Sequence, residues 1–254
     1  MCSFKQDDIS VLNCLILSID IEIVFKYVNI IRKFGSLKER WLIMLFLWTF
    51  FEVAGTIAFA ISGVLVGISR RMDIFGILVL ALSTAIGGGI IRDVLVGNIP
   101  PNTFRTSVYI VLTIIITVIM FFIYRNQKLR YMSRKKFRNL YLITDNLGLA
   151  SFTVTGTTIG FNAYPEYPIF AVTLGLITAV GGGIIRDVLA QRIPSVLKEE
   201  IYALPSIIGG VVYYIIASIS SEYWYLASPI AFIVVFVLRM IGIRYRLNLP
   251  KVHR

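Results

Sequence analysis

Thr84-Ala-Ile-Gly-Gly-Gly-Ile-Ile-Arg-Asp-Val-Leu95 is the stretch that decides the fold, because the chain contains it twice. The second copy, Thr178-Ala-Val-Gly-Gly-Gly-Ile-Ile-Arg-Asp-Val-Leu189, begins 94 residues after the first. Three consecutive glycines are unfavourable inside a helix, since each costs about 1 kcal/mol relative to alanine. Because both copies lie within long apolar segments, the pattern predicts two membrane helices that are broken at their glycines.

The composition places the chain among membrane proteins. Of its 254 residues, 57% are apolar and only 15% are charged, whereas a soluble domain carries about 25% charged residues. The net charge is +11, but the basic residues stand between the apolar segments, which indicates membrane topology rather than binding to nucleic acid. With two cysteines, one histidine and no pairing of a nucleophile with a base, the sequence predicts no enzyme, no cofactor and no metal site.

The apolar segments predict an all-α membrane protein with seven transmembrane helices. Each segment is long enough to cross a hydrocarbon core of about 30 Å when tilt is allowed. The predicted spans are Leu42–Ile68, Ile74–Val96, Ser107–Tyr124, Leu140–Phe161, Ile169–Ala190, Ile201–Ser218 and Leu226–Ile243.

The N-terminal extension, residues 1–41, contains no clean span, because Asp20, Glu22 and Lys26 follow its apolar run closely. Two interpretations remain open for this extension. It is either a peripheral amphipathic segment that lies on the membrane, or it is not native and translation starts at Met44.

Basic residues are concentrated on one side of the predicted membrane. Short loops rich in lysine and arginine stay in the cytoplasm, so this side is predicted to be cytoplasmic. The protein is then a multi-pass protein of the cell membrane with its N-terminus outside and its C-terminus inside, although six basic residues in the extension favour the reverse. The bases on this side are Arg70, Arg71, Arg125, Lys128, Arg130, Arg134, Lys135, Lys136, Arg138, Arg192, Lys198, Arg244, Arg246, Lys251 and Arg254.

Two repeats account for most of the chain. Repeat 1 covers residues 42–124 and repeat 2 covers residues 140–218. A basic cytoplasmic loop, residues 125–139, joins them, and residues 226–254 add the seventh helix and a basic tail. Because each repeat has three spans, the second copy is inverted relative to the first, as in transporter-like folds that surround a site at the membrane midplane. The matched positions also include Glu52 with Asp145, Ser62 with Thr155, and Pro100 with Pro194.

The two glycine triplets have two interpretations. They open helical backbone onto a pore and gate it, since unsatisfied backbone survives in a membrane only inside protein or against water. Alternatively, they let two helices touch at a close crossing. We favour the pore because the triplets occur in both repeats, and we expect alanine at Gly88 or Gly182 to alter conduction without impairing folding. The triplets are Gly87, Gly88 and Gly89, and Gly181, Gly182 and Gly183.

Hydroxyl groups near the triplets are further candidates for the lining of a pore. Such groups in membrane helices often bond only to their own backbone, so each is weak evidence by itself. The candidates are Ser62, Thr84, Thr155 and Thr178.

An Arg-Asp pair follows each triplet, namely Arg92-Asp93 and Arg186-Asp187. Charge within a span is costly and usually faces the bundle interior or water. The symmetry of the repeats predicts cross-repeat ion pairs, Arg92 with Asp187 and Arg186 with Asp93. The alternative is that both pairs anchor helix ends at the membrane surface and snorkel towards water.

Two matched acids, Glu52 and Asp145, lie on the first and fourth predicted spans. One interpretation makes each a cation-attracting charge at a pore mouth or on its wall. The other makes each an acid near a helix end, where it faces water or caps neighbouring backbone.

These motifs resemble those of the prokaryotic trimeric intracellular cation channels. The resemblance is carried by the doubled Gly-Gly-Gly-Ile-Ile-Arg-Asp-Val-Leu, by the Gly-Thr-Ile-Ala-Phe-Ala-Ile-Ser-Gly run at residues 55–63, and by Asp73-Ile-Phe-Gly76. It covers about residues 45–245 and implies a homotrimer in which every protomer has its own pore for potassium and sodium ions. It also implies that the glycine kinks of the second and fifth helices lie at that pore.

The same family has been catalogued as small amino-acid transporters, so a secondary transporter of glycine is the rival function. Membrane lipid is a further expected partner, because the basic loop at residues 125–139 lies beside the cytoplasmic leaflet and attracts anionic headgroups.

Overall fold

The computed structural model describes residues 37–126, 133–198, 202–219 and 224–245, with side chains from Leu42 onwards. Most of the N-terminal extension, part of the basic loop and the basic tail lie outside these residues. The described residues contain nine α-helices and one turn of 3₁₀-helix, Trp224–Leu226. The α-helices are α1 (Leu37–Ser69), α2 (Ile74–Leu95), α3 (Asn102–Arg105), α4 (Val108–Arg125), α5 (Arg134–Ala163), α6 (Pro168–Leu189), α7 (Ser195–Lys198), α8 (Leu204–Ile219) and α9 (Ala227–Tyr245).

The helix ends follow from local sequence. Asp73 caps α2 by accepting a hydrogen bond from the Gly76 N–H at 2.7 Å, and Ser133 caps α5 through the Lys136 N–H at 3.4 Å. Pro168 occupies the first turn of α6, where its missing N–H costs nothing. Since α5 already begins at Arg134, the last bases of the predicted loop lie on its first turns rather than in a loop.

Five of the seven predicted spans are confirmed by helices that are long and apolar enough to cross a membrane, namely α1, α2, α4, α6 and α9. The helix α8 is apolar but has only 16 residues, about 24 Å of helix. The helix α5 carries Asp145 and many hydroxyl side chains, and most of its residues from Thr144 to Gly160 are buried. Because α5 contacts protein on most sides, its polar side chains do not face lipid, and the helix can be less apolar than the others.

The outer surface of the bundle is apolar, as a membrane environment requires. Along α4, Val111, Ile115, Ile119 and Phe122 are all exposed, whereas Thr113 and Thr117 face inward. Exposed apolar side chains also lie along α8 and α9. The chain is an all-helical, multi-pass membrane protein.

The repeats pack on each other through equivalent helices, α1 on α5 and α2 on α6. The rings of Phe59 and Phe152 meet edge to face with centroids 5.2 Å apart. Each ring also lies on a glycine of the other repeat, Phe59 on Gly148 and Phe152 on Gly55. This reciprocal packing is what a two-fold relation between the repeats produces.

The predicted break at the glycine triplets is not confirmed. Helix α2 runs without interruption from Ile74 to Leu95 and α6 from Pro168 to Leu189, so both triplets are helical. The intrinsic cost of glycine is overridden by tertiary packing, since all six glycines are buried.

Candidate functional site

The glycine triplets form the crossing of α2 and α6. A methyl group on Gly88 would collide with the carbonyl oxygen of Thr178, and a methyl group on Gly182 would collide with the carbonyl oxygen of Thr84. A methyl group on Gly181 would lie 3.3 Å from the Gly88 Cα. The two backbones therefore touch directly, which only residues without side chains permit.

Glycines also allow α1 and α5 to pack closely against the two helices of the crossing. In repeat 1, a methyl group on Gly63 of α1 would lie 3.0 Å from the Thr84 hydroxyl of α2. In repeat 2, Gly156 of α5 is packed in the same way against Thr178 of α6. Small residues thus draw four helices to the centre of the bundle.

Three of the four predicted hydroxyl residues bond to their own helix. Thr84 donates to the Leu80 carbonyl at 2.5 Å, Thr178 donates to the Leu174 carbonyl at 2.6 Å, and Thr155 donates to the Phe152 carbonyl at 3.5 Å. Ser62 is different, because its hydroxyl oxygen accepts a hydrogen bond from Arg186 at 2.6 Å. All four side chains are fully buried.

One charged cluster lies at the C-terminal end of α2, and we name it the Arg92 cluster: Glu52, Arg92, Asp93 and Asn102. Arg92 Nη1 donates to both carboxylate oxygens of Glu52 at 3.0 Å, and Arg92 Nε donates to Asp93 Oδ1 at 2.9 Å. Asp93 Oδ2 accepts from the Asn102 N–H at 2.8 Å and so satisfies the first N–H of α3. Arg92 is only 1% exposed, and both carboxylates are buried with it.

A second charged cluster lies at the C-terminal end of α6, and we name it the Arg186 cluster. Arg186 donates to Asp145 Oδ1 at 2.5 Å, to Asp187 Oδ1 at 2.8 Å and to the Tyr141 hydroxyl at 3.0 Å. Asp187 Oδ2 accepts from the Ser195 N–H of α7 at 2.8 Å, as Asp93 does at α3. The cluster consists of Ser62, Tyr141, Asp145, Arg186, Asp187, Arg192 and Ser195.

The prediction of cross-repeat ion pairs is wrong. Each arginine pairs with the aspartate next to it in sequence and with the acid on the preceding helix of its own repeat. The triplets explain the difference, because both Arg-Asp pairs follow the crossing and diverge from it along α2 and α6. The prediction of snorkelling anchors is also wrong, since Arg92 and Arg186 are buried and paired.

The alternative that Glu52 and Asp145 lie near helix ends and face water is wrong, while a place for these acids on a pore wall stays a prediction. Glu52 is 5% exposed and Asp145 is 2% exposed, and each is the ion-pair partner of an arginine. A buried guanidinium requires such a partner, because an unpaired charge in this environment costs several kcal/mol.

Sequence reasoning missed the aromatic residues in and near the Arg186 cluster. Tyr141 accepts hydrogen bonds from both Arg186 and Arg192, and both guanidinium carbons lie about 5 Å from its ring centroid. The Tyr202 hydroxyl lies beside Gly183, and the guanidinium of Arg239 lies 4.6 Å above the Tyr202 ring. The repeat signals Tyr202, since this residue matches Tyr109 of repeat 1 when one residue is skipped after the Pro100–Pro194 match.

Comparison with known proteins finds the same duplication. A family profile described as "Glycine transporter" matches the chain twice, over residues 49–125 and over residues 142–218. The inner membrane protein YadS of Escherichia coli K12 is 39% identical over 210 residues, which cover 82% of this chain and 96% of YadS. The membrane protein YvgT of Bacillus subtilis is 37% identical over 167 residues, covering 65% of this chain and 78% of YvgT.

Solved structures of prokaryotic TRIC channels share the fold. A prokaryotic TRIC channel crystallised in 0.5 M KCl superposes with a TM-score of 0.72 at 33% identity, covering 80% of this chain and 99% of that channel. The TRIC orthologue from Rhodobacter sphaeroides has a TM-score of 0.71 at 28% identity, covering 79% of this chain and 98% of the orthologue.

Proposed function

This chain belongs to the family of the prokaryotic trimeric intracellular cation (TRIC) channels, and on that basis we propose that it conducts monovalent cations, potassium and sodium. The family and the fold are those of channel and transporter proteins, so the chain is not an enzyme. The observation that carries the proposal is the 33% identity to a crystallised channel over almost the whole length of that channel.

We place the pore of each protomer along the crossing of α2 and α6. The triplets Gly87–Gly89 and Gly181–Gly183 would form the constriction, with Ser62, Thr84 and Thr178 beside it and Thr155 on the adjoining turn of α5. Support comes from the two charged clusters, because burying three or more charges at each end of a crossing inside a membrane is costly unless function requires it.

Conduction along this path requires the helices to move. The contact between Gly88 and Thr178 is closed by backbone atoms, so a cation passes only if α2 and α6 separate or rotate at the triplets. Glycine suits such a motion because it leaves no side chain to interlock. In this proposal the closely packed crossing is the closed state, and the crossing with α2 and α6 moved apart is the conducting state. The two interpretations of the triplets then describe two states of the same crossing.

The membrane arrangement is part of the same proposal. The long helices α1, α2, α4, α5, α6, α8 and α9 would cross the membrane as two inverted repeats plus a seventh helix. The N-terminus would lie outside and the C-terminus in the cytoplasm. Three protomers would associate through exposed apolar helix faces, and the bases at the start of α5 would meet anionic lipid.

A flux measurement on reconstituted vesicles separates the channel from its rival. Vesicles loaded with KCl and diluted into N-methylglucamine chloride, with a protonophore present to carry the compensating charge, should lose potassium only when they contain the protein. The alternative function, secondary transport of glycine, is favoured by the description of the matching profile. Saturable glycine uptake in vesicles that show no protein-dependent potassium flux would establish the transporter instead.

A further inference from the structure

The two charged clusters differ at one carboxylate oxygen. Asp187 Oδ1 accepts hydrogen bonds from Arg186 Nε at 2.8 Å and from Arg192 Nε and Nη2 at 2.9 and 2.6 Å. Within the described part of the chain, Asp93 Oδ1 accepts from Arg92 Nε alone, at 2.9 Å. The ion pairs of the Arg186 cluster join two acids to two arginines, whereas those of the Arg92 cluster join two acids to one.

The backbone explains which residue is responsible. The Arg192 N–H donates to the Asp187 carbonyl at 3.0 Å, and the Asn98 N–H donates to the Asp93 carbonyl at 2.8 Å. Asn98 therefore stands in repeat 1 where Arg192 stands in repeat 2, and it brings no charge. Arg105 does not replace the missing charge, because it is exposed and donates to the Ile99 carbonyl at 3.0 Å.

A second observation at the Arg92 cluster indicates a ligand. The side-chain oxygen of Asn102 is buried without a hydrogen-bond partner, and Asn102 is only 6% exposed. The same residue donates its N–H to Asp93 Oδ2 at 2.8 Å, which fixes it beside the carboxylate. Buried polar atoms are nearly always partnered, so an unpartnered amide oxygen next to excess negative charge calls for a cation or a donor.

We propose that the Arg92 cluster binds one monovalent metal cation, potassium or sodium, at Asp93 Oδ1 with the Asn102 amide oxygen as a further ligand. The cation supplies the single positive charge that the Arg192 guanidinium supplies to Asp187. Carboxylate and amide oxygens are suitable ligands for such hard cations. The cluster has two acids and one arginine, so its single unbalanced negative charge matches a monovalent rather than a divalent cation.

The site deepens the proposed function, since it would hold a cation inside the protein at one end of the crossing of α2 and α6. The role of the site rests on the proposed channel function, but its existence does not. Cation binding is measured on the purified protein without an ion gradient, so a failure of the site can be distinguished from a failure of the channel.

The test compares melting temperatures in detergent across KCl and NaCl series, with N-methylglucamine chloride holding the ionic strength constant. The wild type should show a saturable upward shift with potassium or sodium. Asn98→Arg, which copies Arg192 into repeat 1, should lose this shift and melt higher than the wild type in N-methylglucamine. Asn98→Gln is the matched control and should keep the shift.

Three results would overturn the proposal. The first is a wild type that does not respond to the cation, and the second is the same response in Asn98→Arg and Asn98→Gln. The third is stabilisation by acid with no dependence on potassium or sodium, which assigns the excess charge to a proton. If Asn98→Arg does not fold, wild-type crystals soaked in rubidium decide the question, since anomalous density beside Asp93 Oδ1 is expected and its absence contradicts the site.

Discussion

At the crossing of α2 and α6 the two repeats make equivalent contacts, whereas the charged clusters beyond the crossing differ in their number of arginines. Gly88 is packed against the Thr178 carbonyl just as Gly182 is packed against the Thr84 carbonyl. In contrast, Asp187 is held by two arginines and Asp93 by one. Backbone contact leaves no freedom for substitution, while a cluster near a loop can receive its charge from different neighbours.

The acids on α1 and α5 show the same freedom. Glu52 is one methylene longer than Asp145, and both of its carboxylate oxygens reach Arg92 Nη1. The shorter Asp145 reaches Arg186 with one oxygen and leaves space for the Ser62 hydroxyl. The two equivalent acids therefore each pair with the arginine of their own repeat, but with different hydrogen-bond geometry.

The largest effect is expected at the crossing of α2 and α6, where the two repeats are packed in the same way. Gly88→Ala places a methyl group against the Thr178 carbonyl, so α2 and α6 must separate, and we expect unfolding to become easier by about 3 kcal/mol or more. This corrects the expectation from sequence that folding would be unaffected. Reversible unfolding in mixed micelles measures the loss.

Gly89→Ala is the control within the same triplet. Its methyl group would lie 3.7 Å from Arg92 Nη2 and 3.8 Å from Glu52 Oε1, which is ordinary contact. Its stability should stay within about 1 kcal/mol of the wild type, because alanine is the better helix former. Equal losses in Gly88→Ala and Gly89→Ala would contradict the crossing.

A smaller difference is expected between substitutions of the buried arginine in each cluster. Arg92→Met strands the carboxylates of Glu52 and Asp93, and removal of one partner from a buried ion pair costs about 3–5 kcal/mol. Arg186→Met should cost less, because Arg192 remains on Asp187 at 2.6 Å. The measurement is the unfolding free energy of both variants under identical conditions, and a larger loss for Arg186→Met would contradict the charge balance described above.

The smallest expected effect concerns the turns that follow α2 and α6. Gln191 has φ 51° where repeat 1 has Gly97 at φ 79°, and the left-handed region costs a residue with a side chain about 1 kcal/mol. Gln191→Gly should therefore stabilise the protein by about that amount, and Gly97→Gln should destabilise it similarly. Thermal melting of both variants checks the prediction, which fails if the two changes have the same sign.

The sequence was sufficient to predict the helical membrane class and the positions of five long apolar helices, since periods of apolar residues and loop charge are local signals. It also identified both Arg-Asp pairs and the matched acids Glu52 and Asp145, because charge inside an apolar segment is conspicuous. The family resemblance, carried by the doubled motif, is confirmed by the matching profile and by the solved structures.

The sequence could not predict how those residues pair. The choice between cross-repeat and local ion pairs depends on which way α2 and α6 diverge beyond the crossing, and that angle is set by packing of both repeats. Continuity of the helices through the glycines has the same origin, because the neighbouring backbone compensates for weak helix propensity. Arg192 and Asn102 were missed because their roles come from loops and from the short helix α3.

Single-channel recording in planar bilayers with a KCl gradient tests the central claim most directly. The account predicts discrete unitary currents whose reversal potential lies close to the equilibrium potential of potassium. A reversal potential at the equilibrium potential of chloride, or purified folded protein that never yields unitary currents, would contradict it.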